Sequence, residues 1–298
     1  MIRSFFLLVI FFSYSFVNSA QEIIKPKLNQ ASVDQFSFQV LGKLPETINE
    51  ASGLETFDSN LYWTHNDGGI PVLFGIDSIG TIIKTVHLAN KNRGWEDLTR
   101  DDYGNLYIGA FGNNKSDKKE LKIYIVPNPD SITAKVTLAK VISFSFEDQK
   151  AFPPTPDRNN FDIDAFFCLN DSLYLFTKNR TKPYNGLINV YALPITSGDY
   201  IAKKVDAFKL DGAMLNNWIT GADISKDKGT IALLFHHRII TIENFLTPVF
   251  SKGTFTEYKL NQYSHKAGIV FTKKKQLMIV DEREMNFIGG NIYQFNYQ

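Results

Sequence analysis

Little in this chain can crosslink it, and little can give it a strong field. Cys168 is the single cysteine among 298 residues, so no disulfide forms within the chain. Stability must come from burial, which a chain of this length can supply. Basic and acidic residues number 32 and 31, a formal net charge of +1, which leaves no global field to attract nucleic acid or an anionic membrane. Past the first twenty residues no stretch is long and apolar enough to cross a bilayer as a helix, so membrane insertion is not expected. Helical periodicity never persists through a full window. The sequence has no G-x-S-x-G elbow, Walker loop, Rossmann fingerprint or H-E-x-x-H pair, and no EF-hand or zinc spacing. These absences argue against a disulfide scaffold, a basic nucleic-acid binder, a helical membrane protein and the common serine, nucleotide and zinc enzymes.

At the N-terminus, Arg3 precedes an apolar run, residues 5–12, and small residues follow at Ser19 and Ala20. This pattern predicts a secretory signal peptide over residues 1–20 and export to the periplasm or the exterior. No cysteine follows it closely, which argues against a lipid anchor. Residues 21–33 are polar and read as a flexible lead-in. Residues 34–298 read as a single domain. Cys168 follows Phe166-Phe167 and reads as a small core residue.

Residues 50–67, EASGLETFDSNLYWTHND, carry the pattern that organises this domain. Two short alternating runs flank a turn at Asp58-Ser59-Asn60, and the second run ends in His65-Asn66-Asp67. Comparable second strands recur as Leu106-Tyr107-Ile108-Gly109, Leu173-Tyr174-Leu175-Phe176, Ile231-Ala232-Leu233-Leu234 and Leu277-Met278-Ile279-Val280, each running into a polar end. Four short strands per repeat of about 40 residues predict an all-β fold, a β-propeller of four-stranded antiparallel blades. Five blades are favoured. Six is the alternative if the insertions at 115–120 and 147–160 hide a blade. The last repeat is one strand short, and residues 36–44 are a strand with no blade. Closure by this N-terminal strand removes an open edge. The 25 Phe and 13 Tyr suit packed sheets.

Aligning the innermost strands on Leu54, Leu98, Phe166, Ile224 and Ile269 shows what precedes them. Side chains in a strand alternate with period two, so residues two and four positions back share a side. Glu50, Glu96, Asp162 and Asp164, with His265, therefore converge near one mouth of the central channel. Oxygen-rich surroundings of this kind suit a hard cation, Ca²⁺ or another divalent ion. The structural alternative is that these acids cap strand ends and bind loop amides. Clustered acids need positive partners, and His265 and Arg93 are the candidates nearby. The intervening row is Gly53, Asp97, Ala165, Asp223 and Gly268, small residues or Asp, which suits tight packing or turn hydrogen bonds.

Polar residues where second strands end are candidates for ligand binding: His65, Asn66, Asp67, Asn113, Asn114, Lys178, His236 and Glu282. His65 with Asp67 looks like a base and its orienting acid. Asn66-Asp67-Gly68-Gly69 is equally turn chemistry. His236-His237 has the same ambiguity, since a strand splays adjacent side chains apart. Trp63, Trp95 and Trp218 offer either a stacking face for sugars or core packing. At the opposite mouth, the turns at 101–104 and Asn170-Asp171 are short and look built for connection.

The segments Ser52-Gly53-Leu54, Leu61-Tyr62-Trp63-Thr64-His65-Asn66-Asp67, Trp95-Glu96-Asp97-Leu98 and Thr220-Gly221-Ala222-Asp223-Ile224-Ser225 resemble an uncharacterised family of secreted bacterial β-propellers. More distantly the layout is similar to the senescence-marker/gluconolactonase group and to NHL-type propellers. The former resemblance implies a channel-bound divalent cation and lactone or ester hydrolysis, but Ala222 and Ala267 occupy two inner positions where that pattern has metal ligands. The sequence therefore leads first to a monomeric module that binds a small polar ligand, a glycan or a protein. A divalent-metal-dependent hydrolase using the channel-mouth carboxylates is the alternative.

Overall fold

A computed structural model describes residues 23–34, 37–57, 60–284 and 288–297. The expected signal peptide lies outside the described residues, as do Asp58 and Ser59 of the first expected turn. The described chain is all-β, with short 3-10 turns and no helix long and apolar enough to cross a membrane.

Strands rich in Val, Ile, Leu and aromatics lie between turn residues and pair, for the most part with their sequence neighbours, into sheets of four to eight strands, beside a small pairing of Arg283–Glu284 with Ile288–Gly289. The first sheet runs outward from Ala51–Glu55 through Tyr62–Asn66 and Val72–Ile76 to Ile82–Leu88. The next starts at Asp97–Arg100 and passes through Asn105–Ala110 and Leu121–Pro127 to Lys140–Phe146. It continues into the strands Gly198–Lys209, Leu187–Pro194, Ser172–Thr177 and Ile163–Leu169, making eight in all. The join is parallel: Ile142 to Phe146 lie against Gly198 to Ala202, while Lys203 to Lys209 pair antiparallel with the strand before them. A further sheet starts at Gly221–Ile224 and ends at Thr254–Lys259, and a last one starts at Lys266–Lys273.

That last sheet is completed from the other end of the chain. Phe38–Lys43 pairs antiparallel with Asn291–Asn296, which is the pairing expected for the strand without a blade. Phe38 stacks on Tyr293 at 4.8 Å between ring centroids, and Lys266 lies over both rings.

Part of the expected lead-in is paired backbone. Leu28–Ala31 forms a parallel edge strand on Thr254–Lys259, and Gln30 donates to Glu257 at 2.6 Å. Val136–Thr137 covers the outer edge of Ile82–Leu88 in the same way. Both are short and polar, so alternation did not reveal them, but each covers an edge that would otherwise carry unpaired N–H and C=O groups.

The starting strands of the sheets meet one another in a closed cycle: Ala51–Glu55, Asp97–Arg100, Ile163–Leu169, Gly221–Ile224, Lys266–Lys273 and back to Ala51–Glu55. Five buried apolar clusters fill the spaces between neighbours in this cycle. Trp63 and Trp95 belong to one of them, with the Trp63 indole donating to Asp130 at 2.7 Å.

At the centre of the cycle the strands nearly touch. Gly53 has φ +66°, and a Cβ there would stand 2.7 Å from the Leu98 nitrogen. A Cβ on Gly268 would stand 2.6 Å from the Gly53 carbonyl carbon. The Asp97 carboxylate accepts from the amides of Leu98 at 2.9 Å, Phe166 at 3.1 Å and Ala222 at 3.2 Å, the last two on different strands. Asp223 accepts from the Phe271 amide at 2.7 Å. The row expected to suit tight packing thus forms the axis, and packed backbone and buried carboxylates occupy the place where an open channel was expected.

Replacing Asp97 with Ala strands three buried amides, each costing about 1–3 kcal/mol. Asp97→Ala should therefore lower stability by about 3 kcal/mol or more in urea unfolding with an unchanged m-value, and a loss under about 1 kcal/mol would contradict this role for the carboxylate. A second expectation concerns the shared sheet. Deleting the chain through Lys43 should leave Asn291–Asn296 as an open edge and produce associated or unfolded material in size-exclusion light scattering; a folded monomer would contradict it.

Candidate functional site

The acids expected to converge do so where the starting strands begin. Asp164 lies at a β-bulge, a register shift between Ile163 and Ala165, and similar shifts occur in Ala51–Glu55 and Lys266–Lys273. A bulge re-aims the side chain beside it. Lys178 follows Thr177, the partner of Ile163 across the hairpin, and its amide donates to the Asp162 carbonyl at 2.8 Å. This register places the Lys178 ammonium on Asp164 Oδ2 in a buried ion pair. Arg180 Nε donates to Asp162 Oδ2 at 2.6 Å, while Asp162 Oδ1 accepts from the Asn113 amide at 2.8 Å. Trp218 lies beneath both cations, with Arg180 4.5 Å and Lys178 5.1 Å from its ring centroid. Its indole donates to the Asn179 carbonyl at 2.9 Å.

The remaining groups come from the other sheets. Glu96 reaches over a floor of glycine: a Cβ on Gly112 would overlap its carboxylate, and one on Gly94 would lie 3.5 Å from Glu96 Oε1 and 3.8 Å from Asp67 Oδ1. His265 Nδ1 meets Glu282 Oε2 at 2.9 Å. The buried His236 ring packs 4.7 Å from that of His265.

Burial and mutual repulsion shape the protonation of this group. Burial pushes Asp67 up to about 6, helped by the negative charges of Glu282, Asp164 and Glu50 and opposed by Lys178. Burial also holds Glu96 well above the usual carboxylate range, and Asp164, Asp67 and Asp162 push the same way. Burial and Asp164 raise Asp162, against the pull of Arg180 and Lys178. Lys178 is moved down by burial, but Asp164 and Asp162 outweigh this and raise it overall. His236 falls to about 3, through burial first and then the positive charges of His265, Lys178 and Lys266. For His265, burial works downward, and the Glu282 hydrogen bond and charge carry it upward. Lys178 interacts with every one of these groups, so it sits at the electrostatic centre of the face.

The four expected metal ligands are not arranged as an ion site. Asp162 is engaged by Arg180 and Asn113, Asp164 by Lys178, and Glu50 is exposed. Among the described residues no group of three or more His, Cys, Asp or Glu side chains is placed to hold a metal ion. A divalent cation does not fit these residues as they stand. The counter-charge expected from His265 and Arg93 is instead Lys178 and Arg180, while His265 pairs with Glu282.

The residues nominated for ligand binding divide. Asp67, Lys178, His236 and Glu282 belong to the charged group just described. His65 is fully buried, edge-on to Trp95 at 5.4 Å, and burial lowers it to about 4. Asn66 accepts from the Glu50 amide at 3.1 Å and donates to the Thr47 carbonyl at 2.9 Å, so it is turn chemistry. Asn113 is buried, and its side chain donates to the Phe161 carbonyl at 3.1 Å and accepts from the Lys118 amide at 3.1 Å. The exposed Asn114 accepts from Arg180. Trp218 is the tryptophan that reaches this face, whereas Trp63 and Trp95 are core.

The opposite mouth is also more than connection. Asn170 and Asp171 do form a two-residue turn, both with positive φ. Beside it a cavity of about 50 Å³ is lined by residues including Glu55, Arg100, Cys168, Asp223 and Phe271. Arg100 Nε lies 3.4 Å from Glu55, and burial pushes the Cys168 thiol up to about 12, which leaves it inert.

No family model matches the chain, and no curated protein matches it. Solved structures do. Virginiamycin B lyase from Staphylococcus aureus is 12% identical over 86% of this chain and 69% of its own, with a TM-score of 0.42. The PQQ-bound aldose sugar dehydrogenase from Streptomyces coelicolor is 10% identical over 87% and 98%, with a TM-score of 0.47. Regucalcin from Agrobacterium tumefaciens, a calcium-binding protein, is 9% identical over 90% and 95%, with a TM-score of 0.45. At such identities and scores these likenesses say nothing about ligand or activity.

The Asp67 shift makes stability depend on pH. A carboxyl raised from 3.8 to about 6 binds its proton more tightly when folded, so its stabilising contribution is present below 3.8 and is lost as pH rises through about 6. Asp67→Asn should remove about 1–2 kcal/mol of the decline between acidic and neutral pH, read from urea unfolding at several pH values. Parallel profiles for the variant and the wild type would contradict the shift.

Proposed function

We propose that this chain is a secreted β-propeller of five four-stranded blades, a single domain from residue 34 to 298, that binds a small polar ligand on its acid-bearing face. The blade reading is supported by the cyclic contact of the five starting strands and by the completion of the last sheet by Phe38–Lys43. Export is supported by the residue pattern of the first twenty positions.

One observation carries the location of the site. Ionisable side chains from all five blades converge there, yet the group is not closed on itself. Asp164 Oδ1 and His236 Nδ1 are buried without a hydrogen-bond partner among the described residues, while Glu96, Asp67 and His265 are open to solvent in part. A purely structural network of this size would satisfy its buried atoms. Perturbed groups collected on one face are a common mark of a binding or catalytic site. The hydrolase alternative lacks its metal group and is not favoured.

The test is thermal stability against a panel of sugars, amino acids and small organic acids and bases. Wild-type protein should show a midpoint that rises with the concentration of at least one class, since a ligand that binds only the folded state stabilises it. Glu96→Gln and Asp164→Asn should fold and lose that response. A response retained in full by both variants would place the site elsewhere.

A further inference from the structure

The charges on this face indicate what kind of ligand it takes. Six carboxylates gather there: Glu50, Asp67, Glu96, Asp162, Asp164 and Glu282. The cations within the group are Lys178 and Arg180, already bonded to Asp164 and Asp162, and His265, bonded to Glu282. Asp67, Glu96 and the exposed Glu50 are therefore the carboxylates with no ion-pair partner among the described residues, and burial first, then the negative charges around them, push Asp67 and Glu96 toward their neutral forms. An anion would meet this surplus of carboxylate and find both strong cations engaged. A polyol would leave the repulsion as it is. A divalent metal needs several oxygens gathered round one point, and no such group exists among the described residues.

A positively charged nitrogen has different needs. It accepts dispersed carboxylate partners and an aromatic face, at distances of about 6 Å or less. The face already holds two such nitrogens in this way, Lys178 and Arg180 over Trp218. Asp164 Oδ1 is a buried acceptor with no donor among the described residues. The Glu96 carboxylate lies where a side chain at Gly112 would stand, and a Cβ on Gly94 would be 3.5 Å from Glu96 Oε1 and 3.8 Å from Asp67 Oδ1, so the two glycines let these carboxylates approach one place. His236 Nδ1, also buried and without a partner, belongs to the adjoining ring pair and points independently to a missing polar group.

We propose that the ligand of this face is an organic cation, an alkylammonium or guanidinium compound, whose charged nitrogen is held by Glu96 and Asp67 beside the Lys178–Trp218 pair. The proposal rests on the reading of this face as the binding site. Binding would draw both carboxyls to their ionised forms and release protons, so affinity should fall on acidification. Other groups facing Asp67 are Glu282, Asp164, Glu50 and Lys178, and His265 gains positive charge over the same range, which acts in the same direction.

Putrescine and agmatine are the probes, with butanediol as the neutral control and succinate as the anionic one, each at about 10 mM and constant ionic strength. The thermal midpoint and the intrinsic tryptophan fluorescence should both respond to the two cations at neutral pH, saturably, and not to the controls. Affinity should fall about tenfold or more between neutral pH and about pH 5. Glu96→Gln and Asp67→Asn should each weaken binding by about tenfold, and fluorescence reads this even if a variant is less stable. Absence of a response to both cations overturns the proposal, and so does an equal response to butanediol. A response to succinate or to a sugar that Glu96→Gln abolishes would overturn the cationic ligand while leaving the binding face intact. Silence from every probe and from the wider panel would overturn both.

Discussion

The Asp97 carboxylate is the constraint on which the arrangement turns. It takes amides from its own strand and from two others, and so ties three starting strands to one point. Asp223, on one of those three strands, ties in Lys266–Lys273, and Gly53 and Gly268 let that strand and Ala51–Glu55 approach backbone to backbone. A carboxylate buried this deeply is tolerable only because the amide donors replace its water. The amides in turn need it, since neighbouring starting strands do not pair with one another as sheets do. The consequence for function is that the axis is closed. A ligand at the acid-bearing face and one at the Arg100–Asp223 cavity would occupy separate sites, on either side of these close contacts.

The acid-bearing face follows from the same geometry. Starting strands that converge bring the residues just before them close together, whatever those residues are. In this chain several are acids, and the repulsion is offset by cations supplied from the neighbouring strand of the same hairpin. Lys178 and Arg180 follow the second strand of the hairpin whose first strand begins with Asp162 and Asp164. The pairing is therefore local in sequence and forms with the hairpin itself. An ion pair of this kind adds little net stability, but losing one partner would leave a buried charge. Such pairs fix where charges sit. The surplus over Glu96 and Asp67 is what they leave unneutralised.

Much of this was legible in the residues. The recurrence of hairpins, the strand with no blade and the two acid-bearing rows all follow from period-two alternation, which burial enforces. The axial row was legible for a different reason, because Gly, Ala and Asp at one repeated position imply crowding. What was missed shares a cause. Leu28–Ala31 and Val136–Thr137 are edge strands whose burial alternates weakly, and their partners are distant in sequence or parallel. The parallel join at Gly198–Lys209 depends on a long strand that changes partner midway, and alternation does not record partners. Lys178 is legible as a polar residue at the end of a second strand, but its ion pair depends on a bulge at Asp164, and a bulge shifts register without leaving a pattern. His65 misled because its chemistry is catalytic in type, while its position on a strand facing Trp95 makes it core.

Protonation links these features. Burial raises Asp67 to about 6 and Asp223 to about 7, while it lowers His65 to about 4 and His236 to about 3. The raised acids lose their stabilising contribution as pH rises through 6 and 7. The lowered histidines lose theirs as pH falls from the ordinary histidine value of 6.5 toward 4 and 3. The two trends oppose each other across the mildly acidic range, so these four groups together change stability little there. Near neutral pH the two buried histidines are therefore uncharged. Among the paired residues around Lys178, by contrast, each charge has a fixed partner. A ligand that alters the protonation of Glu96 and Asp67 acts at the edge of that network. The central closure at Asp97 directly follows Glu96 in the chain; burial holds its carboxyl well above the usual range, and the amides of Phe166, Leu98 and Ala222 oppose that shift. The site and the closure beneath it are thus both built on buried carboxyls, one group open in part to solvent and the other enclosed.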